Sequence, residues 1–460
     1  MTTTLIAGAG APARDAQNEE EELAGPVQAP IARDQRIAAL DVLRGFALLG
    51  ILVLNIDDFS GPEALHDIPV GLAKAAFVGW HAHLDLAILS IKWLFFEGKM
   101  RAMFGMLFGA GCVLLTQRIE RRKPEAAADI FLRRSMWLAL FGLIHGTLIW
   151  SGDILLDYSL NALLVIYPLR HVAAKKLIVV GLAISLLGGT LGVANFSYDP
   201  SALHDSRLQE QATAALRMGK APTAEQQAAL TAAAARETKD RAQVAERVAL
   251  AHRGYWAVLP QQAGGFIDFV FALFRTGWMA EITGMLIFGM GLYKTGFLSG
   301  RGSSRLYATT AVLGYAVSAP IVLVGVHQAS KQGFSNAAAV KWMFLPYGLQ
   351  QIPAMIANAS VVLLMVRKGW FQAVQRALAA VGRTAFSNYI GTSLLCQFLF
   401  VWGPWHLYGT LEYYQQIYVV MGVWALNIIA STLWLRMFAY GPLEWVWRSL
   451  TYWKRQPFRV

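Results

Sequence analysis

The sequence predicts an all-α fold, a polytopic membrane helical bundle of about ten transmembrane helices plus a re-entrant or interfacial helix, with both termini cytoplasmic. Three observations predict it. Of 460 residues, 56% are hydrophobic and only 15% charged, against roughly 25% charged in ordinary soluble chains. Apolar runs long enough to cross about 30 Å of hydrocarbon recur along the chain. Basic residues exceed acidic ones, 40 to 29, for a net charge of +11, and they gather in alternate connecting segments, as cytoplasmic loops do. This composition excludes a secreted enzyme or a soluble dehydrogenase and gives little support to nucleic-acid binding. The two cysteines, Cys112 and Cys396, lie in apolar runs where neither a disulfide framework nor redox chemistry is expected.

Taken in order, residues 1 to 34 carry an acidic run from Glu19 to Glu22 within proline-punctuated alanine sequence, and read as a disordered cytoplasmic tail rather than a signal peptide. Spans follow near 37 to 57, 101 to 118, 131 to 150, 153 to 170, 175 to 194, 266 to 293, 306 to 327, 342 to 366, 384 to 403 and 415 to 436. The apolar stretch 83 to 96 is too short to cross. Counting it as a span would put Arg118, Arg121, Arg122, Lys123, Arg133 and Arg134 outside, against the positive-inside rule. The spans divide into an N-terminal bundle over 35 to 195 and a C-terminal bundle over 266 to 460, the latter ending in an interfacial helix with Glu444 and Arg448 one turn apart. Between them, 196 to 265 forms an external helical excursion rich in helix-forming alanine, glutamine, glutamate and arginine. No repeat relates the halves, so inverted-repeat transport is not suggested.

A charge at mid-bilayer costs about 2.5 to 3.5 kcal/mol, so intramembrane ionisable groups are the best pointers to a site. Asp41 and Arg44 stand at i and i+3 near the cytoplasmic end of the first span, placed to pair. Asp153, Asp157 and Asn161 recur every four residues and share one helical face. A short turn joins this span to the one before it, which sets His145 level with Asp157. A carboxylate that orients an imidazole and raises its basicity suits general-base chemistry; a structural bond tying the hairpin together is the plainer alternative. Arg101, beside Glu97 and Lys99, is a further charge at a span's edge, and Glu281 is a lone acid well inside another. His66, His81 and His83 lack helical metal-ligand spacing, and no metal is expected.

Several stretches are more specific. These are Leu40-Asp41-Val42-Leu43-Arg44-Gly45 with Asn55-Ile56, Phe96-Glu97-Gly98-Lys99-Met100-Arg101 running into Leu107-Phe108-Gly109, Trp150-Ser151-Gly152-Asp153-Ile154-Leu155, Gly382-Arg383-Thr384-Ala385-Phe386-Ser387-Asn388-Tyr389, and 441 to 452. In these the chain resembles the YeiB-like membrane family (domain of unknown function 418) over most of 36 to 455. That family looks like a branch of the transmembrane acyltransferases that include heparan-α-glucosaminide N-acetyltransferase, which moves acetyl from cytosolic acetyl-CoA to a sugar amine across the membrane. The enzyme's opening motif is matched by Leu40, Asp41, Arg44, Gly45 and Asn55. His66 stands at the offset of its catalytic histidine, although the intervening stretch reads Asp57-Asp58-Phe59-Ser60-Gly61-Pro62 where the enzyme is glycine-rich and aromatic.

The resemblance implies an acyl group taken from cytoplasmic acetyl-CoA, or another acyl-CoA, to an acceptor hydroxyl or amine on the outer side. Arg44, Arg134 and Arg383 would help hold the acyl-CoA phosphates at the cytoplasmic mouth, with Asp41 and Arg101 as further cofactor-binding residues, arginine being suited to phosphate. Asn55 would donate to the developing oxyanion, and His66 would be the base or nucleophile, with His145 and Asp157 as the alternative base pair. Asp153, Asn161 and Glu281 would line the acceptor's path. The expected partners are membrane lipid and an envelope sugar or lipid headgroup, with a homodimer left open, and the expected location is a bacterial cell inner membrane. Two rivals use the same residues: a small-solute transporter with His145, Asp153 and Asp157 as a relay, and a non-catalytic lipid- or quinone-binding protein.

Overall fold

A computed structural model describes residues 38–66, 69–197 and 200–459; the expected tail at 1 to 34 lies outside the described residues. The α-helices of seven residues or more are α1 (Ala38–Ser60), α2 (Ala82–Ile91), α3 (Lys99–Arg122), α4 (Ala127–Leu148), α5 (Leu155–Asn161), α6 (Ala174–Ser197), α7 (Pro200–Arg217), α8 (Ala224–Ala251), α9 (Tyr255–Thr276), α10 (Trp278–Lys294), α11 (Ser304–Lys331), α12 (Tyr347–Lys368), α13 (Gln372–Arg383), α14 (Ala385–Gln397), α15 (Gln416–Met437) and α16 (Pro442–Tyr452). No strand ladder occurs among the described residues; one isolated bridge joins Phe438 to Arg459. The all-α membrane bundle is therefore the fold. Among the described residues seven stretches are long and apolar enough to cross a membrane by length and composition alone. Each of the ten expected spans contains a helix, but α4, α5, α10 and α14 are shorter or more polar than that measure requires.

Helix α1 is the axis of the bundle. It is apolar on nearly every face, and 72% of its most apolar window is buried, as expected of a helix with partners all round. Small residues allow its closest neighbour in. Gly45 lies against the backbone carbonyl of Leu378 on α13, and Gly382 of α13 lies against that of Asp41, so two backbones meet where any Cβ would collide. The antiparallel pair α6 and α10 uses the same device. Gly181 and Gly188 sit on the α10 backbone, while Gly284 and Gly291 sit on α6.

The stretch 83 to 96, expected as a re-entrant or interfacial helix, is helical. Helix α2 widens into a π-helical turn at Lys92–Phe96 and meets α3 through Glu97 and Gly98, where Gly98 adopts a φ of +68°. A side chain at Gly98 would also strike the Tyr347 hydroxyl, so both conformation and space require glycine. Broken backbone within a bundle must find partners from its neighbours. Here Gln351 Nε2 donates to Gly98 O (3.1 Å) and Asn358 Nδ2 to Phe95 O (2.8 Å), while Lys92 pairs with Asp57 of α1 at 2.5 Å. The segment is one leg of a broken helix wedged beside α1 and α12.

The expected span 266 to 293 is corrected in a similar way. It divides at Gly277, whose φ is +98°, into α9 and α10. The two ends of α9 meet the same end of the bundle. Tyr255 Oη donates to Leu148 O at the close of α4 (3.0 Å), and Gly277 packs on Gly188 and Gly192 near the close of α6. Helix α9 thus meets α4 near its Leu148 end and α6 near Gly188 and Gly192, and α10 continues from Gly277. The excursion expected to end at 265 gives way to this apolar helix at Tyr255. Before it, α7 and α8 form a hairpin. Its second arm starts with a reciprocal cap in which Gln226 N donates to Thr223 Oγ1 (3.3 Å) and Thr223 N to Gln226 Oε1 (3.0 Å).

Candidate functional site

The basic end of the bundle holds a cavity between α1, α3, α4, α13, α14 and α16. Its mouth is lined by six arginines, Arg44, Arg118, Arg122, Arg134, Arg383 and Arg448, with only Asp41 and Glu444 as acids. Its interior is apolar, with Phe104, Leu107, Phe108, Leu138, Leu155, Tyr158, Phe386 and Tyr389 on the walls. About 240 Å³ is open to the centres of water-sized molecules. A basic rim over an apolar shaft suits a ligand with a phosphorylated head and a neutral tail.

Each wall is positioned by a local cause. Asp41 and Arg44 pair at 2.8 Å, the i and i+3 bond expected. The guanidinium of Arg134 lies 3.7 Å from the centre of the Trp447 ring, and Trp447 Nε1 donates to Arg134 O at 2.9 Å, which fixes α16 to α4. Glu444 is buried and accepts from the Phe386 and Ser387 amides (2.7 and 3.1 Å) and from Ser387 Oγ (2.5 Å). It caps the start of α14, where orphan donors and the helix dipole favour a carboxylate. The segment read as an amphipathic anchor therefore builds the cavity: Glu444 holds α14 and Arg448 faces the opening. Sequence reasoning placed Arg44, Arg134 and Arg383 here but missed Arg118, Arg122 and Arg448. Their signal was present, since Arg118 and Arg122 lie one turn apart, as do Glu444 and Arg448. Arg101 is a correction: it is not on the cavity lining but pairs with Glu281 at 2.7 Å, because the break at Gly98 sets the start of α3 beside the start of α10.

At the deep end stands a chain of three buried polar groups. Asp153 Oδ1 lies 2.9 Å from His145 Nδ1, and His145 Nε2 lies 3.0 Å from Ser393 Oγ; all three residues are at most 2% exposed. In the tautomer that donates Nδ1–H to the Asp153 carboxylate, Nε2 is the acceptor. The second oxygen of Asp153 accepts from Leu156 N (2.8 Å), which locks the carboxylate on the turn that opens α5. Tyr389 is the shared wall. It lines the cavity, its ring centre is 5.0 Å from that of His145, and its hydroxyl accepts from Ile154 N at 3.2 Å. On the opposite side Trp150 meets His145 edge-on and packs at a tilt against Phe59, ring centres 4.3 Å apart.

This corrects the expected pairing of His145 with Asp157. Asp153 is the partner because the connection after α4 is so short that the residue next to the turn, not one a turn later, faces the imidazole. Asp157 is buried, and its Oδ1 has no hydrogen-bond partner among the described residues. Asn161 is a packing residue: Nδ2 donates to Asp157 O (2.9 Å) and Oδ1 accepts from Thr283 Oγ1 of α10. Glu281 is held from both sides, by Arg101 and by Gln351 Nε2 at 3.1 Å. Ser393 carried no signal in the sequence, lying 248 residues from His145.

His66 and Asn55 lie apart from the cavity lining. The His66 ring is tucked under Gly61 and is 8% exposed, with Nδ1 buried and without a partner. Burial, and then the Lys92 charge, push its imidazole down to about 4, against a smaller opposing influence from the backbone of Leu411 and Asp57. It is neutral at pH 7. Asn55 is half-buried on α1. Of the other histidines, His81 pairs with Asp85 at 2.6 Å.

The family model described as "Protein of unknown function (DUF418)" matches residues 292–454. The chain is 30% identical over 435 residues to "Uncharacterized protein YeiB" of Escherichia coli (strain K12), covering 91% of this chain and 96% of that one. It is 28% identical over 433 residues to "Uncharacterized protein YxaH" of Bacillus subtilis (strain 168), covering 93% and 97%. A Bacillus acidopullulyticus protein, "Uncharacterized 39.9 kDa protein in amylase 3'region", is 26% identical over 429 residues. With similarity to YeiB running nearly the full length of both chains, this protein is a member of the YeiB-like DUF418 family.

Proposed function

We propose that the protein is a transmembrane acyltransferase of the bacterial inner membrane, which takes an acyl group from cytoplasmic acyl-CoA and passes it to a hydroxyl or amine on the outer side. The observation that carries this reading is the six-arginine cavity whose apolar shaft ends one side chain away from a carboxylate-oriented histidine. The arginines would hold the nucleotide phosphates, with two aligned donors each. The pantetheine arm is neutral and slender, so it suits the walls of Phe104, Leu138 and Tyr158. The thioester would then approach Tyr389, and His145 Nε2 would take the proton of the attacking nucleophile while Asp153 stabilises the imidazolium. His145 is preferred to His66 as the base because it adjoins the cavity. The acceptor would be an envelope sugar or lipid headgroup, reaching His145 past Trp150.

Calorimetry on the purified full chain in detergent tests this. Acetyl-CoA should bind saturably, and Arg118→Ala and Arg448→Ala should each weaken binding about tenfold, the scale of one charge-assisted bond. Acetyl-pantetheine, which lacks the nucleotide, should be insensitive to both substitutions. Absence of acetyl-CoA binding by folded protein overturns the proposal.

A further inference from the structure

We propose that Ser393 is the nucleophile of a covalent acyl relay, with His145 as its base and Asp153 as the group that orients the base. The inference rests on the acyl-transfer reading above and goes beyond it by assigning an acyl-enzyme intermediate. Its ground is the linear order of contacts: Asp153 Oδ1 to His145 Nδ1 at 2.9 Å, then His145 Nε2 to Ser393 Oγ at 3.0 Å. A nucleophile within hydrogen-bond reach of a base that is itself oriented by a third group is how this chemistry is recognised, whatever the fold. The alternative acceptor for the Ser393 hydroxyl, Tyr389 O, is farther at 3.3 Å, so the shorter bond is the one that activates it.

The placement supports the same assignment. Ser393 follows Tyr389 by one turn of α14, about 6 Å along the axis, and Tyr389 forms the wall between the cavity and the imidazole. A thioester at the end of the shaft is therefore separated from Ser393 by one aromatic side chain. The hydroxyl of that side chain is held only by bonds of 3.2 Å from Ile154 N and 3.4 Å to Gly152 O. A relay also answers a geometric need. The donor enters from the basic end, whereas His145 is three residues from the far end of α4, and a serine ester lets the acyl group stay while coenzyme A leaves.

The steps balance. Ser393 Oγ attacks the thioester carbonyl as His145 Nε2 takes the hydroxyl proton. The tetrahedral adduct collapses with cleavage of the C–S bond, and the imidazolium returns the proton to the departing thiolate, releasing free coenzyme A. In the second half the acceptor gives its proton to Nε2 and attacks the serine ester. The C–Oγ bond then breaks, and Ser393 recovers its proton from His145.

The test uses the full chain in detergent and acetyl-CoA alone, with no acceptor. The relay predicts release of coenzyme A thiol equal in amount to the protein, and an acetyl group on the peptide containing Ser393 by mass spectrometry. Ser393→Ala should bind acetyl-CoA as tightly as wild type, yet release thiol slower by about a millionfold, the scale of losing a triad nucleophile. Ser393→Cys, which keeps size and reactivity, should carry the acetyl group as a thioester that neutral hydroxylamine removes, whereas the wild-type oxygen ester resists it. Tight acetyl-CoA binding with no acetylated protein, or with the acetyl group on His66 or His145, overturns the relay and leaves the acyltransferase reading standing. Failure of folded wild type to bind acetyl-CoA overturns both.

Discussion

The pair of Arg101 and Glu281 gives the sharpest test of how this bundle is held together. Glu281 is 1% exposed and has two partners, Arg101 at 2.7 Å and Gln351 Nε2 at 3.1 Å. Arg101 retains 27% of its side-chain exposure and also stacks on Trp278, 5.4 Å from the ring centre. The two sides of the pair are therefore unequal. Arg101→Met strands a carboxylate in the interior, and breaking a buried pair in that way costs about 3 to 5 kcal/mol, or about 150-fold to 5,000-fold in the unfolding equilibrium. Glu281→Gln keeps the bond from Gln351 and leaves Arg101 its open face and Trp278, so its cost should be about 1 to 2 kcal/mol. The double variant Arg101→Met/Glu281→Leu removes both charges and should be more stable than Arg101→Met alone, with a coupling of at least about 2 kcal/mol. Unfolding of the full chain in mixed micelles of rising dodecyl sulfate fraction, followed by circular dichroism, measures all three. An Arg101→Met variant within about 1 kcal/mol of wild type, or a double variant equal to the sum of the singles, would refute the reasoning.

Other expectations concern helix contacts, pH and the outer hairpin. Gly45→Ala or Gly382→Ala should push α13 off α1 and cost about 1 to 3 kcal/mol or more; a thermal-shift assay should show this, with acetyl-CoA binding weakened although every arginine remains. His66 has an ordinary value of 6.5 lowered to about 4 by burial, so between those values the unfolded chain binds more protons than the folded one. Its contribution is complete above pH 6.5 and is lost on acidification toward pH 4, a total of about 3 kcal/mol. His66→Asn should flatten that slope in denaturation midpoints compared at pH 7 and pH 4.5, and an unchanged slope would sink the assignment. Thr223→Ala removes the reciprocal cap at the start of α8, costs about 1 kcal/mol locally, and should speed proteolysis within 218 to 230 while the bundle stays intact.

What was legible in the sequence was local or summed over many residues. Span positions follow from runs of apolar residues, because each helix in lipid must satisfy its own backbone. The basic end of the bundle follows from charge counted over whole loops, and the Asp41–Arg44 bond from a spacing of three. The mouth of the cavity was partly legible for the same reason: arginines at segment ends collect at one surface once the helices alternate in direction.

The rest depended on which helices touch. Gly98 and Gly277 break apolar runs that composition reads as continuous or as peripheral, and a positive φ leaves no mark beyond one glycine among many. The choice of Asp153 over Asp157 for His145 was decided by how tightly the chain turns between α4 and α5, a matter of a few ångströms that helical periodicity does not contain. Arg101 and Ser393 were decided at longer range. One was drawn from the cavity to Glu281, 180 residues away, and the other was brought to an imidazole 248 residues away. The sequence by itself determined the membrane bundle, its basic end and its inventory of buried charges. Only the tertiary structure decided which of those groups meet, because hydrogen bonds and ion pairs act over about 3 Å and nothing in local spacing sets the distance between helices that distant in the chain.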